Sequence, residues 1–202
     1  MEKRQVGRHV VVESPAARRA GAIATLTLAF VKDPVMRFMY PDAESYFTHT
    51  PAIFDGYGGN AFDEGVALET EGLSAAALWF RPGAHGDIDA VTKVIEKSVA
   101  PDRLARTFAL LEAMDSHHTE HPHWFLPLIG VDPAHQGKGL GGALLSAMTE
   151  RLDRDGTVAY LDSTNILNVP LYERHGFEVI DEIRVEDAPP VWPMVRRPRR
   201  RG

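Results

Sequence analysis

The stretch Leu128-Ile129-Gly130-Val131-Asp132-Pro133-Ala134-His135-Gln136-Gly137-Lys138-Gly139-Leu140-Gly141-Gly142 decides how the fold of this chain is interpreted. It predicts a strand that passes through a proline turn and a glycine-rich loop into a helix. Glycine lets the backbone approach a ligand closely, and the first N–H groups of a helix are unpaired at the positive end of its dipole. The loop is therefore predicted to bind an anion such as a pyrophosphate.

Two common phosphate-binding patterns fit this loop poorly. The Walker pattern fails because Gly139 stands where Ser or Thr should hold a magnesium ion. The dinucleotide fingerprint G-x-G-x-x-G is satisfied by Gly137, Gly139 and Gly142. An acid, Asp162, follows about twenty residues later, as that fingerprint requires. However, Asp132 to Gln136 separate the strand from the first glycine, so a nicotinamide enzyme is the weaker alternative.

Two motifs in the second half of the chain fit a third interpretation. Gln136, Gly139 and Gly141 follow the pattern Gln or Arg, two residues, Gly, one residue, Gly or Ala. Residues 165–177 read N-I-L-N-V-P-L-Y-E-R-H-G-F. In order and spacing both motifs resemble the GNAT superfamily of N-acetyltransferases. Trp124-Phe125, Tyr-Glu-Arg at 172–174 and a tryptophan in the last strand resemble its puromycin N-acetyltransferase-like members.

The resemblance implies a fold and an activity. The fold is a single α/β domain over residues 1–196, with a mixed, mostly antiparallel, splayed sheet flanked by helices, and a disordered basic tail at 197–202. The activity is direct transfer of acetyl from acetyl-CoA to a primary amine of a small molecule. A peptide or protein amine as acceptor, or a non-catalytic acyl-CoA-binding module, are the alternatives.

Composition limits the class of protein. The chain has 202 residues, 44% of them hydrophobic, which is enough for one core. It has no cysteine, which excludes disulfides, thiolate metal sites and a cysteine nucleophile.

Its apolar runs are far shorter than the roughly 20 residues that cross a bilayer, so we expect a cytoplasmic protein without a membrane partner. The net charge of −6 argues against nucleic acid as a partner, and we expect a monomer or homodimer. The arginine-rich end from Arg196 to Arg201 is predicted to be solvated.

Hydrophobic periodicity and turn residues predict the order of the elements. Ser14-Pro15 and Asp33-Pro34 are typical of helix starts, and Pro127 inside an apolar strand predicts a bulge or local opening. The predicted strands are 9–13, 65–70, 73–80, 123–131, 158–161, 177–183 and 191–195. The predicted helices are 16–30, several short ones over 31–54, 87–97, 102–116, 141–153 and 167–174.

The resemblance also implies which residues hold the cofactor. The strand end would pair with the pantetheine arm, the loop would bind the pyrophosphate, and the second motif would contact the arm from the other side. Capping of the following helix is an equal alternative for the two asparagines. The expected cofactor-binding residues are Ile129, Gly130, Val131, Gln136, Gly137, Lys138, Gly139, Leu140, Gly141, Gly142, Asn165, Asn168 and Tyr172.

Direct transfer needs a proton donor for the departing thiolate and a group that takes the proton of the amine. By the resemblance, Tyr172 is the expected donor. His123, which precedes the apolar strand, is the preferred base because imidazole titrates near neutral pH. The histidines at 117, 118, 121 and 123 have a spacing that suggests a metal, but no acid or cysteine completes the set, so no metal is expected.

The acceptor pocket is expected in the first half of the chain. Phe30, Asp33, Tyr40 and Trp79 surround a helix break and a strand end. Aromatic rings together with one acid would suit a hydrophobic amine.

Overall fold

The structure is a computed structural model that describes residues 3–6, 9–118 and 121–199. These residues contain eight strands and eight α-helices. The strands are β1 (Lys3–Val6), β2 (His9–Glu13), β3 (Gly65–Thr70), β4 (Ala75–Phe80), β5 (Trp124–Val131), β6 (Ala159–Ser163), β7 (Phe177–Val179) and β8 (Trp192–Arg196). The helices are α1 (Arg19–Ala29), α2 (Pro34–Met39), α3 (Ala43–Gly58), α4 (Ala61–Glu64), α5 (Ile88–Ser98), α6 (Pro101–Ser116), α7 (Leu140–Asp155) and α8 (Val169–Arg174).

The strands form one open sheet in the order β1-β2-β3-β4-β5-β6-β8-β7. All neighbours are antiparallel except β5 and β6, which run parallel. Helices cover both faces. The predicted α/β domain with a mixed, mostly antiparallel sheet is confirmed.

The parallel strands β5 and β6 separate soon after they meet. Trp124 pairs with Ala159, and Phe125 pairs with Tyr160. Beyond these pairs, within the described strands, β5 continues to Val131 without pairing to β6. The sheet therefore opens into a wedge between the two strands, which is the expected splay.

Strand β5 carries a bulge at its proline. Leu78 of β4 pairs with Leu128, whereas Phe80 pairs with Phe125. Two steps along β4 thus match three along β5, and the extra residue falls beside Pro127. Proline has no N–H to donate to a neighbouring strand, so the bulge interrupts the hydrogen bonds between β4 and β5 where one donor is already missing. The bulge predicted from Pro127 is confirmed.

Two apolar cores lie on opposite faces of the sheet. Side chains alternate along β4, so Leu78 packs with α1, α3 and α5, while Trp79 packs with α7. With both faces covered, the central strands form a fixed frame for the wedge.

Aspartates start three of the helices. Asp33, Asp42 and Asp87 each accept a hydrogen bond from the backbone N–H three residues further on. The predicted start at Asp33 is therefore confirmed. The cap predicted at Ser14 is wrong, because its hydroxyl instead donates to the buried carboxylate of Glu69 at 2.6 Å.

Two parts of the chain differ from the predicted elements. Residues 31–54 hold α2 and most of α3 instead of several short helices, because the Asp42 cap starts a helix that continues through Pro51 to Gly58. Strand β1 was not predicted, since its sequence K-R-Q-V has a single apolar residue and no alternating pattern.

The basic C-terminal run begins inside the fold. Arg196 is 2% exposed and donates to both carboxylate oxygens of Asp153, at 2.7 and 2.8 Å, and to the carbonyl of His175 at 2.8 Å. This corrects the expectation that Arg196 is solvated, since a guanidinium can be buried when it is paired and hydrogen-bonded. The backbone N–H of Arg199 also donates to Asp153, at 2.8 Å. Residues 200–202 lie outside the described residues.

Gly130 lies where β5 meets α1. A β-carbon at Gly130 would lie 2.5 Å from the Cβ of Ala29 and 3.2 Å from Cδ2 of Leu26, so the helix packs directly on the strand backbone. We predict that Gly130→Ala lowers the free energy of unfolding by about 1–3 kcal/mol, the usual cost of overpacking. Denaturant titration measures the loss.

The control for this contact is Ala29→Gly, which removes the opposing methyl group and alone costs about 0.5–1 kcal/mol. In the double variant the losses should be less than additive, because the closest clash is gone. Strict additivity would contradict the contact.

Candidate active site

The wedge between β5 and β6 contains a cavity of about 100 Å³. Its walls come from the end of α1, the start of α2, the bulge of β5, the end of β6 and helix α8, together with residues of α3, α5 and α6. Polar side chains therefore converge from segments that are distant in sequence. The polar residues that line the cavity are Asp33, Tyr57, Asp162, Thr164, Asn168 and Tyr172, and its apolar residues include Phe30, Leu126, Pro127, Leu128 and Ile129.

The glycine-rich loop joins the end of β5 to α7. Gly137 and Gly139 have φ angles of 73° and 85°, a region that is costly for any residue with a β-carbon. Asp132 accepts the N–H of Ala134 at 2.8 Å and fixes the preceding turn. Gly139 is the N-cap of the 16-residue helix α7, and no side chain caps that helix. Its first N–H groups are thus left for an anionic ligand.

Helix α8 is fixed against α7 by His175. The imidazole Nδ1 lies 2.9 Å from the carbonyl of Leu171, and Nε2 lies 3.1 Å from the carbonyl of Gly142. His175 therefore connects the first turn of α7 to the turn of α8 that carries Tyr172.

Tyr172 extends from α8 into the cavity. Its ring contacts Phe177 edge to face, with centroids 6.2 Å apart. Burial raises the pKa of the phenol, and the nearby carboxylate of Asp33 raises it further. The hydroxyl therefore stays protonated near neutral pH, as a proton donor requires.

Asp33 is a buried acid whose oxygens are both engaged. Oδ1 accepts the N–H of Met36 at 3.0 Å, and Oδ2 accepts the hydroxyl of Thr164. Burial raises the pKa of Asp33 to about 6. The side chain thus ties the start of α2 to the segment that follows β6, across the wedge.

Asp162 is the second buried acid at the wedge. Oδ1 accepts the hydroxyl of Tyr160 at 2.8 Å, whereas Oδ2 is buried without a hydrogen-bond partner. Burial is the main cause that raises the pKa of Asp162 to about 7. Nε2 of His118 lies 3.9 Å from this oxygen. An acceptor with free lone pairs and a pKa near neutral is suited to take a proton.

Two histidines continue from Asp162 toward solvent. Nδ1 of His118 lies 3.3 Å from Nε2 of His123, and Nδ1 of His123 lies 2.8 Å from the carbonyl of His121. Burial and the neighbouring His123 lower the pKa of His118 to about 4, so it is neutral at pH 7.

A second, larger cavity of about 1130 Å³ lies beside these histidines. It is formed by α3, the segment that follows β4, α5, α6 and the start of β5. Six residues line both cavities, so the two are adjacent at the vertex of the wedge. These shared residues are Tyr57, Val91, Leu111, Met114, Phe125 and Asp162.

The predicted cofactor residues fall into three groups. Ile129, Asn168 and Tyr172 line the smaller cavity, while residues 136–142 form the loop and the first turn of α7. Gly130 packs against α1, and the Asn165 side chain accepts the N–H of Leu167 at 3.0 Å, so it has the capping role that was the alternative. Contact of these residues with a cofactor stays a prediction.

The four predicted substrate residues are not brought together. Phe30 and Asp33 line the smaller cavity. Tyr40 is buried, with its hydroxyl 2.6 Å from that of Ser98, and Trp79 is fully buried on the opposite face of the sheet. Tyr40 and Trp79 line neither of these two cavities, which corrects the expectation for both.

Sequence reasoning missed Asp162 as a buried acid at the wedge and His118 as the neighbour of His123. The available signal was an acid at the end of the apolar strand A-Y-L-D-S, where a charge is costly unless it is used. His123, the predicted base, lies in the larger cavity and reaches Asp162 only through His118.

Neither a metal site nor a membrane-spanning helix is found in the described ranges 3–6, 9–118 and 121–199. No group of three or more His, Cys, Asp or Glu there is arranged to hold an ion. No helix there is long and apolar enough to cross a membrane.

An open mixed sheet that splits between two parallel strands, with an uncapped glycine-rich helix start beside the split, defines an acetyltransferase fold of the GNAT type. Residues 100–179 match the family model of the acetyltransferase (GNAT) domain. An uncharacterised N-acetyltransferase of Schizosaccharomyces pombe is 25% identical over 201 residues, which cover 88% of this chain and 78% of that protein.

Solved structures share the fold. A histone acetyltransferase HPA2 and related acetyltransferase from Corynebacterium glutamicum superposes with a TM-score of 0.70 at 21% identity, over 96% of this chain and 98% of that one. An agmatine N-acetyltransferase superposes with a TM-score of 0.60 at 18% identity, over 94% and 99%. These similarities identify residues 100–179 as a GNAT acetyltransferase domain and support an acetyl-CoA-dependent N-acetyltransferase.

Two substitutions at Asp33 distinguish the effect of its charge on stability from the effect of its cap on α2. Asp33→Ala should lower the free energy of unfolding by about 1–2 kcal/mol, because the cap of α2 is lost. Asp33→Asn keeps an oxygen for the N–H of Met36 and should fold with no such loss. Urea titration at neutral pH compares the two variants with the wild type.

The pH dependence of the same variants has a definite sign. The pKa of Asp33 is raised from 3.8 to about 6 by folding, so its contribution to stability is full below pH about 4 and is lost as the pH rises to about 6. The stability of Asp33→Asn relative to the wild type should therefore increase between these two pH values. A difference that does not change with pH would contradict the burial of a charge at this position.

Proposed function

We propose that this chain transfers acetyl from acetyl-CoA to a primary amine of a small molecule, in the cytoplasm, by direct attack. The observation that carries the proposal is the wedge, which has an uncapped helix start beside it and a buried phenol inside it. The similarity in fold to an agmatine N-acetyltransferase supports a small-molecule acceptor.

The loop has the features that the phosphates of CoA need. A dianionic group can approach Gly137 and Gly139 closely because neither has a β-carbon. Among the described residues, apart from the two chain neighbours, no atom lies within 4 Å of where a β-carbon of Gly137 would be. The N–H groups at the start of α7 donate without a competing side chain. Ile129 and Val131 lie on the part of β5 that does not pair with β6, so they can offer backbone groups to an extended arm, except for the carbonyl of Val131, which accepts from the Gln136 side chain at 3.3 Å.

Acetyl-CoA supplies the reactive thioester. Within the wedge, Tyr172 holds the proton that a departing sulfur needs, and its raised pKa keeps that proton in place until charge develops nearby. Asn168 does not cap α8 with its side chain and lines the same cavity, so its amide is placed to orient the arm.

Two glycines at opposite ends of α7 test the loop. Gly137→Ala and Gly156→Ala place a β-carbon at φ angles of 73° and 66°, with nothing within 4 Å in either case. Each should cost about 1 kcal/mol of stability. Only Gly137→Ala should weaken acetyl-CoA binding, by about tenfold or more, as measured by calorimetry. Equal affinities in the two variants would remove the loop from the cofactor site.

The donor is tested by Tyr172→Phe, with Tyr46→Phe as the matched control. The Tyr46 hydroxyl donates to the carbonyl of Thr27 at 2.7 Å, away from both cavities. Removing the Tyr172 hydroxyl should lower kcat about 100-fold or more, while acetyl-CoA affinity is retained. Thiol release with a panel of amines measures this, and unchanged turnover in Tyr172→Phe would exclude the donor role.

A further inference from the structure

We propose that the 1130 Å³ cavity is the acceptor pocket, and that it selects a primary amine with a single positive charge on an aromatic or otherwise apolar body, its amino group at Asp162. This inference rests on the proposed function and adds the class of acceptor and the group that receives it.

The position of the cavity suits an acceptor. It meets the cofactor-side cavity at Phe125 and Asp162, where β5 and β6 separate. An amine that enters through it arrives at the vertex of the wedge, on the far side from the glycine loop. The two reactants would thus enter from different sides.

Two buried acids line the wedge, and their hydrogen bonds distinguish them. Both oxygens of Asp33 are engaged, by Met36 and Thr164. Asp162 has one oxygen engaged by Tyr160 and one, Oδ2, without a partner, although its side chain is 4% exposed. A buried unpartnered carboxylate oxygen is costly unless a ligand satisfies it, and an ammonium group does so.

The side chains that line the pocket determine what kind of molecule can bear the amino group. Between Asp162 and solvent the lining is largely aromatic and aliphatic, including Tyr57, Phe80, Phe108 and Phe125. The acids Glu112 and Asp115 line it too, but they are exposed to solvent, so an ion pair with either would add little. A second ammonium along the body would lose its water against apolar walls. Polyamines should therefore be poor acceptors.

The same contacts give the released proton a path. Nδ1 of His123 donates to the carbonyl of His121, so Nε2 of His123 can accept from Nδ1 of His118. This leaves the lone pair of His118 Nε2 facing Asp162, at 3.9 Å, just beyond direct hydrogen bonding. A chain of acceptors thus runs from the floor of the pocket toward solvent.

Atoms and charges balance along this path. The nitrogen forms a C–N bond to the acetyl carbon, the C–S bond breaks, and two protons leave the nitrogen overall. One proton ends on the sulfur through Tyr172, and the other reaches water through Asp162, His118 and His123. The net change is ammonium plus acetyl-CoA to acetamide, CoA thiol and one free proton.

Several groups face Asp162 and set its titration. Asp115 faces it from α6, and His117 and His118 face it from the turn that follows α6. Tyr57 faces it from α3 and Tyr160 from β6 itself, while His123 lies behind His118. Because Asp162 acts as its carboxylate, kcat/KM should rise with pH through an apparent pKa of about 7. Because the amine binds as its ammonium ion, kcat/KM should fall again as the pH passes the pKa of the free amine, about 10.

The first experiment compares phenethylamine and tryptamine with agmatine and spermidine. Thiol release gives kcat/KM, and calorimetry in the presence of CoA gives amine affinity without turnover. We expect the aromatic monoamines to exceed the polyamines at least tenfold in both. Wild-type turnover that favours the polyamines would overturn this inference and leave the proposed function intact. A wild type that neither binds acetyl-CoA nor turns over any amine would overturn both.

One variant examines the floor of the pocket. Asp162→Asn should lower kcat/KM about 100-fold or more and abolish the rise near pH 7, with acetyl-CoA affinity unchanged. An unaltered pH profile in Asp162→Asn would exclude this acid.

Discussion

The site depends on the short parallel pairing of β5 and β6, which lasts for two residue pairs before the strands separate. Paired strands satisfy each other's backbone groups, so separation leaves those of β5 available to a ligand. The Pro127 bulge begins the separation, and the Asp33–Thr164 contact ties the far sides of the wedge together. The glycine-rich loop, Tyr172 and Asp162 all take their positions from this opening.

Much of the fold could be predicted because its signals are local. The glycine loop, the Asp33 cap and the Pro127 bulge each follow from the conformational limits of single residues. The order of the Gly-rich motif at 136–142 and the Asn-containing motif at 165–177 predicts where a cofactor would bind. These features need no knowledge of which distant segments meet.

The acceptor side could not be predicted because it depends on which face of the sheet each side chain occupies. Side chains alternate between the two faces of the sheet, so Trp79 lies on the face opposite to Leu78 and Phe80. The sequence does not tell which of the two faces borders the cavity. Asp162 and His118 become neighbours only because α6 ends beside β6. Likewise, the sequence predicts that Arg196 belongs to a solvated basic run, whereas in the fold it donates to Asp153. The positions of these side chains are set by contacts between segments that are distant in sequence, and local sequence patterns do not show such contacts.

The sheet order has a consequence for how the protein is made. Strand β6, which carries Asp162, has β8 as its antiparallel neighbour, and β8 comes later in the chain than β7. During synthesis, β6 therefore keeps one side unpaired until Trp192–Arg196 has left the ribosome. The wedge is therefore completed only when β8 pairs with β6, although strands β2 to β5 and helix α7 come earlier in the chain.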